Sequence, residues 1–543
     1  MRIKLVTAVA VALVLAACGD KSQSGQTTDQ TFVFGMEGEP TVLDGARSTG
    51  GPAARVGSQI FEGLLTVGPK GDLRPSLAKS WERGPDGRSW SFQLQEGVQF
   101  HDGSPFDAGA VCSNFDRWYH SKGILQTQAL SIAWRAIFGG FATRDDPSAP
   151  AESLYESCQP KGTHEVVINL TRPSGRFLPA MTYWQFTMAS PDALQRYGAD
   201  QVSGTAQAPK FDGTFGREHA IGTGPFKLEQ WVPNDRVVLV RNDDYWGDKA
   251  KLDRVIFRPI PDNTARRQSL EAGEIHGYEP VEAADIAALE EAGIQIVRRQ
   301  PINVAFIGFN QQRPPMDNLK IRQAVAHALD REAVLKAKYP PETLPAKEFI
   351  PPTLMGYADD VVSYDYDPAE ARRLIAESGV PDPVIEFWYP TGASTPYIPD
   401  PEGIFEAFRS DLEEVGFRVV GKPEPLRPNY PRKVLSGEAQ MFLISGAADL
   451  DPDSFLNLFF GQRAESFGFD NPELFALVKQ GDLEVDQGRR DALYKRINRM
   501  VMEILPGVPL VHVRPAIALA KDVQGYEPHP VDPRERLTTV SLD

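Results

Sequence analysis

Residues 441–458, MFLISGAADLDPDSFLNL, carry the reading from which the rest of the chain is worked out. Met441, Phe442, Leu443 and Ile444 are apolar, as in a buried strand. Ser445 to Ala448 are small and loop-like. Asp449 and Asp451 follow at alternate positions, and Asp453 comes after Pro452. Asp453 is expected to cap a helix whose Phe455, Leu458 and Phe459 lie at i, i+3 and i+4. A strand that runs through a polar loop into a helix is where open α/β sheets place ligands. Asp449 and Asp451 are therefore candidate ligand-facing carboxylates.

The same alternation of strand and helix extends in both directions. Upstream, residues 304–309 (VAFIGF) form a strand that delivers Asn310 and Gln311, and Ile321, Ala324, Val325 and Ala328 make one apolar helix stripe. Asp367, Pro368 and Gly379 sit at the N-cap, first-turn and C-terminal positions of a further helix. Residues 385–389 read as a strand ending in Trp388 and Tyr389. Phe405, Phe408, Leu412 and Val415 mark an amphipathic helix stopped by Gly416. Downstream, residues 474–505 are mostly helical and 506–514 return as a strand. At the other end, residues 31–36 (TFVFGM) form the first strand, and the loop after it supplies Glu37 and Glu39. Residues 121–160 are expected to be irregular.

At 543 residues the chain exceeds one ordinary core, so at least two lobes are expected. A formal net charge of −16 argues against a general nucleic-acid binder, which needs a basic surface. Arg2 and Lys4 precede a run from Leu5 to Ala17 that is almost wholly apolar but too short for a membrane span. It ends Leu15-Ala16-Ala17-Cys18-Gly19, which resembles a bacterial lipoprotein signal with Cys18 as the lipidated residue. Residues 19–30 then read as a flexible tether. This places the protein outside the cytoplasmic membrane, anchored to it. In that oxidising compartment a bond between Cys112 and Cys158 is expected over two separately buried thiols.

No G-x-S-x-G, H-E-x-x-H or P-loop is present. Gly222-Thr223-Gly224 lacks the third glycine of a dinucleotide fingerprint and is followed by Pro225, so it reads as a tight turn. The eight histidines have no paired spacing, so neither a metal nor another cofactor is expected.

Blocks of residues along the chain, taken in order, resemble one family. Gly63-Leu64-Leu65, the run from Leu73 to Glu82 (LRPSLAKSWE) and Gly97 to Gly103 (GVQFHDG) are similar to the first lobe of the dipeptide/oligopeptide-binding family of extracytoplasmic solute-binding proteins of ABC importers. Ile221 to Leu228 (IGTGPFKL) with Asn242 to Trp246 (NDDYW) resembles its central signature. Phe309-Asn310, Arg322-Gln323-Ala324 and Ala328 to Glu332 (ALDRE) resemble its second-lobe signature. The resemblance implies a two-lobe, Venus-flytrap fold, with an extra subdomain in the first lobe. Residues 31–278 and 509–543 would form lobe I and 279–508 lobe II, with hinge crossings near 278–280 and 505–509. It implies a monomeric, non-enzymatic binder that captures a peptide or peptide-like solute by hinge closure and delivers it to a membrane permease. In peptide-binding members an aspartate of the loop at 441–458 pairs with the ligand's α-ammonium, near a tryptophan. Here Ser445 and Ala448 stand at those two positions, and Asp449 comes one place later. The candidate binding residues are thus Asp449, Asp451, Glu37, Glu39, Asn310, Gln311, Trp388 and Tyr389. The paired acids leave open a secreted carboxylate-dependent hydrolase, and the lipoprotein signal a solute-sensing lipoprotein.

Overall fold

The structure is a computed structural model that describes residues 30–543 apart from 49, 394, 428, 448, 531 and 532. The expected signal segment, its Cys18 and residues 19–29 of the tether lie outside the described residues, as does Ala448.

Two sheets organise the chain. The first has seven strands in the order Phe226–Val232, Arg236–Arg241, Arg254–Pro259, Thr31–Met36, Gly277–Glu279, Ala516–Leu519 and Gln295–Arg298. Thr31–Met36 lies parallel to both its neighbours, and every other pairing is antiparallel. The second sheet has six strands: Leu344–Pro345, Gly507–His512, Asn303–Phe309, Met441–Ala447, Val384–Thr391 and Arg418–Pro425. Asn303–Phe309 is buried at every position, which is why it reads as a continuous apolar run rather than an alternating one.

These memberships move the expected lobe boundary. Gln295–Arg298 belongs to the first sheet, so the first crossing is at 299–302, not near 278–280. Gly507–His512 belongs to the second sheet, so the second crossing is at 513–515, not 505–509. The first shift arises because a short half-buried strand such as QIVR carries little periodic signal and is placed by pairing with Ala516–Leu519; the second arises because the strand read at 506–514 pairs with Asn303–Phe309 of the second sheet.

Lobe I carries a further four-stranded antiparallel sheet, Ala78–Arg83, Ser89–Leu94, Glu165–Leu170 and Tyr155–Pro160. Its core is aromatic, with Phe115, Trp118, Trp134, Phe138, Tyr155 and Phe177 packed together. Residues 121–160 are less irregular than expected: they contain the helix Gln128–Ile137 and the edge strand Tyr155–Pro160. A disulfide joins Cys112 on the helix Ala108–Tyr119 to Cys158 on that edge strand.

Local chemistry accounts for the helix ends in lobe II. Asp367 accepts from the Ala369 and Glu370 amides, Pro368 opens the helix, and Gly379 closes it at φ 72°. The helix Pro401–Val415 is capped by Asp400 and ends at Gly416, φ 109°. Its Phe405, Phe408 and Leu412 are buried against the strands Val384–Thr391 and Arg418–Pro425.

Candidate ligand-binding cleft

The two crossings are tied together at their lobe II end. Asn303 Nδ2 donates to the Val513 carbonyl at 2.8 Å, and the Val513 amide donates back to Asn303 Oδ1 at 2.9 Å. The adjacent His512 is fully buried, with Nδ1 2.7 Å from the Asn303 carbonyl. Burial pushes its pKa down to about 4, so the hinge holds a neutral imidazole.

The acid loop of lobe II meets lobe I at Arg176 and Arg534. The strand Met441–Ala447 leads into it and the helix Asp453–Phe460 leaves it. Its three aspartates have different roles. Asp451 is 2% exposed and receives a two-pronged bond from Arg490, at 2.6 and 2.8 Å. It also accepts the Asp453 amide at 2.9 Å; Asp453 is the first residue of the helix and not its cap, since Pro452 stands at that position. Its carboxylate is fully used inside lobe II, which removes it from the candidate ligand set. Asp453 accepts from the Tyr494 hydroxyl at 2.9 Å and meets Arg176 of lobe I at 3.2 Å. Burial outweighs that arginine and raises its pKa to about 6. Asp449 reaches the cleft. Its side chain is 35% exposed and lies 3.5 Å from Arg534, on the C-terminal segment of lobe I. Arg534 donates to the Thr182 carbonyl at 2.9 Å and its guanidinium lies over the Tyr183 ring. Burial raises the pKa of Asp449, with Arg534 opposing.

The lobes also touch along this rim. Arg172 bonds Asp482 at 2.8 Å, and the Gly175 amide donates to the Asp482 carbonyl at 2.7 Å.

Beside the second crossing, with Val513, Arg514 and Pro515 in its lining, lies a cavity of about 590 Å³ with walls from both lobes. Lobe I contributes Glu37, Arg55, Arg266, Glu279 and Glu282; lobe II contributes Lys338, Tyr339, Tyr397 and Asp400. The floor is a buried square of two arginines and two glutamates. Arg55 pairs with Glu279 and with Glu535 (3.2 Å), and Arg299 bonds Glu279 at 2.5 and 3.2 Å and pairs with Glu535. Burial alone would raise the pKa of Glu279, but Arg299 and Arg55 more than offset it and hold the carboxyl below its usual range. Arg299 stands on the first crossing, so the square couples the cavity floor to the hinge.

Of the residues expected from the sequence, Asp449 and Glu37 face the space between the lobes. Glu39 instead accepts from the Trp231 indole (2.6 Å) and the Asn234 amide (3.0 Å), bracing the hairpin between residues 226 and 241. Asn310 is buried and donates to the Gly437 and Glu465 carbonyls. Gln311 lies on a separate depression with Asp317 and Phe469. Tyr389 is stacked on Phe405 at 4.2 Å inside lobe II, and Trp388 is half-buried with Lys433 over its ring. Strand-end position brought these five forward; the side chains of Glu39, Asn310 and Tyr389 are taken up by neighbours within their own lobe, and Gln311 and Trp388 lie outside the hinge-side cavity. The sequence reading missed Arg534, Arg176, Glu279 and Glu282; a lone arginine in a polar C-terminal segment carries no periodic or motif signal.

Among the described residues no three His, Cys, Asp or Glu side chains converge as a metal site needs, and no helix is long and apolar enough to cross a membrane.

The family described as bacterial extracellular solute-binding proteins, family 5 (middle), matches residues 72–467. This chain belongs to that family. Among the relatives of this family 5 protein, heme-binding protein A of Haemophilus influenzae is 28% identical over 561 residues, covering 96% of each chain. The dipeptide-binding protein of Escherichia coli is 28% identical over 531 residues, covering 95% of each. The solved structure of HbpA2 from Haemophilus parasuis superposes with a TM-score of 0.81 at 25% identity, covering 94% of this chain and 100% of that one. The two-lobe α/β architecture of the family 5 protein is therefore that of a substrate-binding component, and its relatives are binding proteins rather than enzymes.

Proposed function

We propose that this protein is the lipid-anchored receptor of an ABC importer, and that it captures a peptide or peptide-like solute between its lobes for a membrane permease. The observation that carries the reading is the cavity of about 590 Å³ built from both lobes beside the crossings. That volume suits a small peptide, and a ligand touching both walls favours the closed arrangement over the open one. Asp449 is the carboxylate of the acid loop that would meet a ligand ammonium. Its arginine neighbour stands at 3.5 Å, a long contact that a ligand's shorter bond can outcompete. Peptide-binding relatives support the ligand class, and the Cys18 signal supports the anchor. No bond is made or broken in this reading; the chemistry is differential affinity for two arrangements of one hinge.

Two measurements test it. Native mass spectrometry of the protein as purified from its own cells is expected to show a co-purifying peptide-sized species. Small-angle scattering is expected to show a smaller radius of gyration when tripeptides are added. Stoichiometric binding without turnover separates a receptor from a hydrolase, and product formation would reject the receptor.

A further inference from the structure

Residues 172–176 run along the rim where the four-stranded sheet of lobe I meets lobe II, and they are anchored at both ends. Leu170, the last residue of the strand Glu165–Leu170, and Phe177, the first of the short helix Phe177–Ala180, are fully buried. The Thr171 amide donates to the Leu154 carbonyl at 2.8 Å. Between these anchors the stretch turns polar groups toward lobe II. Arg172 bonds Asp482 Oδ2 at 2.8 Å, and the Ser174 hydroxyl donates to Asp482 Oδ1 at 3.3 Å. The Gly175 amide donates to the Asp482 carbonyl at 2.7 Å, and Arg176 meets Asp453 at 3.2 Å. Asp482 stands in the last turn of the helix Pro472–Leu483, where carbonyls have no partner within the helix. The carbonyls before it are served from lobe II: Gln480 by the Glu484 amide and Gly481 by Arg490 Nε, each at 2.9 Å. The donor for Asp482 comes from the other lobe, and the negative end of the helix dipole faces Arg172.

A second observation is steric and independent of charge. A Cβ added at Gly175 would run into the Glu484 carbonyl oxygen and Arg490 Nε, and would lie 2.8 Å from Arg490 Cδ. All three atoms belong to lobe II, and none has room to step aside. One is backbone, and Arg490 is pinned by its two-pronged bond to Asp451 and by Nε on the Gly481 carbonyl. The Gly175 backbone is not in the left-handed region, so lobe I by itself would accept other residues here. What requires glycine is the close approach of the other lobe.

We infer that residues 172–176 are a latch between the lobes: they hold the protein closed at this rim without help from a solute, and Gly175 is the position whose missing Cβ lets the latch shut. Every contact in it joins protein groups, so it favours the closed arrangement whatever is bound. A solute adds its own contacts to a balance that already leans toward closure, and its release waits for the latch to open. Arg172 is half-exposed and is the most dispensable member. The Gly175 amide and the buried Arg176–Asp453 pair carry the hold. Nothing in the latch depends on the identity of the solute, so it stands or falls apart from the peptide reading.

Small-angle scattering and hydrogen exchange on the full chain, unfolded and refolded to strip bound solute, test the latch. The parent is expected to show a smaller radius of gyration than Gly175→Ala, whose added methyl wedges the rim open while the circular dichroism stays that of the parent. Fragments covering residues 172–178 are expected to exchange about tenfold faster in Gly175→Ala and in Arg176→Met than in the parent, because opening exposes the amide at position 175 to water. Arg172→Ala should exchange as the parent does. Equal radii, or equal exchange, in the parent and Gly175→Ala overturn the latch. So does exchange of this fragment in the parent at the rate of an unprotected loop, a measurement that needs no variant to fold.

Discussion

Two acidic regions lie between the lobes, and the protein treats their carboxylates differently. In the acid loop, Asp451 is locked by Arg490, Asp453 is shared by Tyr494 and Arg176, and Asp449 faces Arg534. In the hinge-side cavity, Glu37 and Glu282 are exposed and, among the described residues, have no ion pair. The difference follows from burial. A carboxylate taken out of water needs a cation or several donors, whereas one in an open cavity can wait for a ligand. Acidity in a sequence therefore marks a ligand site only where the structure has left the charge uncompensated.

The largest effect should come from breaking the best-compensated pair. Arg490→Met leaves Asp451 buried without its cation, and a loss of about 3–5 kcal/mol in unfolding free energy is expected from denaturant titration. Ligand affinity of the folded variant should not change. A loss below about 1 kcal/mol, or a matching loss of affinity, would undo the assignment of Asp451 to structure.

Glu348 sharpens the same contrast, since it is buried and, among the described residues, forms no ion pair. It is 0% exposed, accepts one bond from the Ala358 amide, and has an oxygen with no partner. Burial pushes its pKa up to about 8, with the Ala358 bond and nearby cations only partly opposing. A folded-state pKa above the unfolded value means that the native state holds the proton longer. The stabilisation from this group is complete below pH ~4.5 and is lost as pH rises through about 8. Glu348→Gln mimics the protonated form. It should remove a fall of roughly 3 kcal/mol in stability between pH 5 and pH 8.5, read from urea midpoints. Identical pH slopes in variant and parent would mean that Glu348 is ionised and compensated after all.

How much of this could be read from residues alone depended on how local the signal was. The strand at 441–447, the capped helix after Asp367 and the helix stopped by Gly416 were legible, because periodicity and caps act within a few residues. The first crossing was misplaced because the short strand Gln295–Arg298 acquires its identity only by pairing with Ala516–Leu519, over two hundred residues away, and the second because the strand Gly507–His512, though legible, pairs with Asn303–Phe309. The site was legible in part. Glu37 and Asp449 lie at strand ends that do open on the cleft. Glu39, Asn310 and Tyr389 share that position but turn to Trp231, to backbone carbonyls and to Phe405. Which way a strand-end side chain turns is decided by tertiary neighbours, and Arg534 and Glu282 entered the cleft by that route alone.

Asp449 lies between the two kinds of acid, since it has a cation but a distant one. The comparison of free and N-acetylated Ala-Lys-Ala isolates its contact with an α-ammonium. In the parent protein the free peptide should bind more tightly, and Asp449→Asn should reduce that advantage by about 1–2 kcal/mol, roughly tenfold by titration calorimetry. An unchanged ratio would place Asp449 with Asp451 as a structural acid and leave ammonium recognition to the hinge-side cavity.

The smallest effect is expected at the rim where the lobes touch. The Arg172 side chain is 48% exposed, and its 2.8 Å bond to Asp482 crosses between the lobes. A half-exposed pair is worth under about 1 kcal/mol and is screened by salt. Arg172→Ala should therefore shift the open–closed balance only slightly, with less than a fivefold change in affinity at low salt and none at 0.5 M. The neighbouring backbone bond from Gly175 to Asp482 survives the substitution, so the rim itself should persist. A large loss of affinity would mean that the arginine holds the closed state in place. The rim would then rank above both acidic regions in deciding how tightly ligand is held.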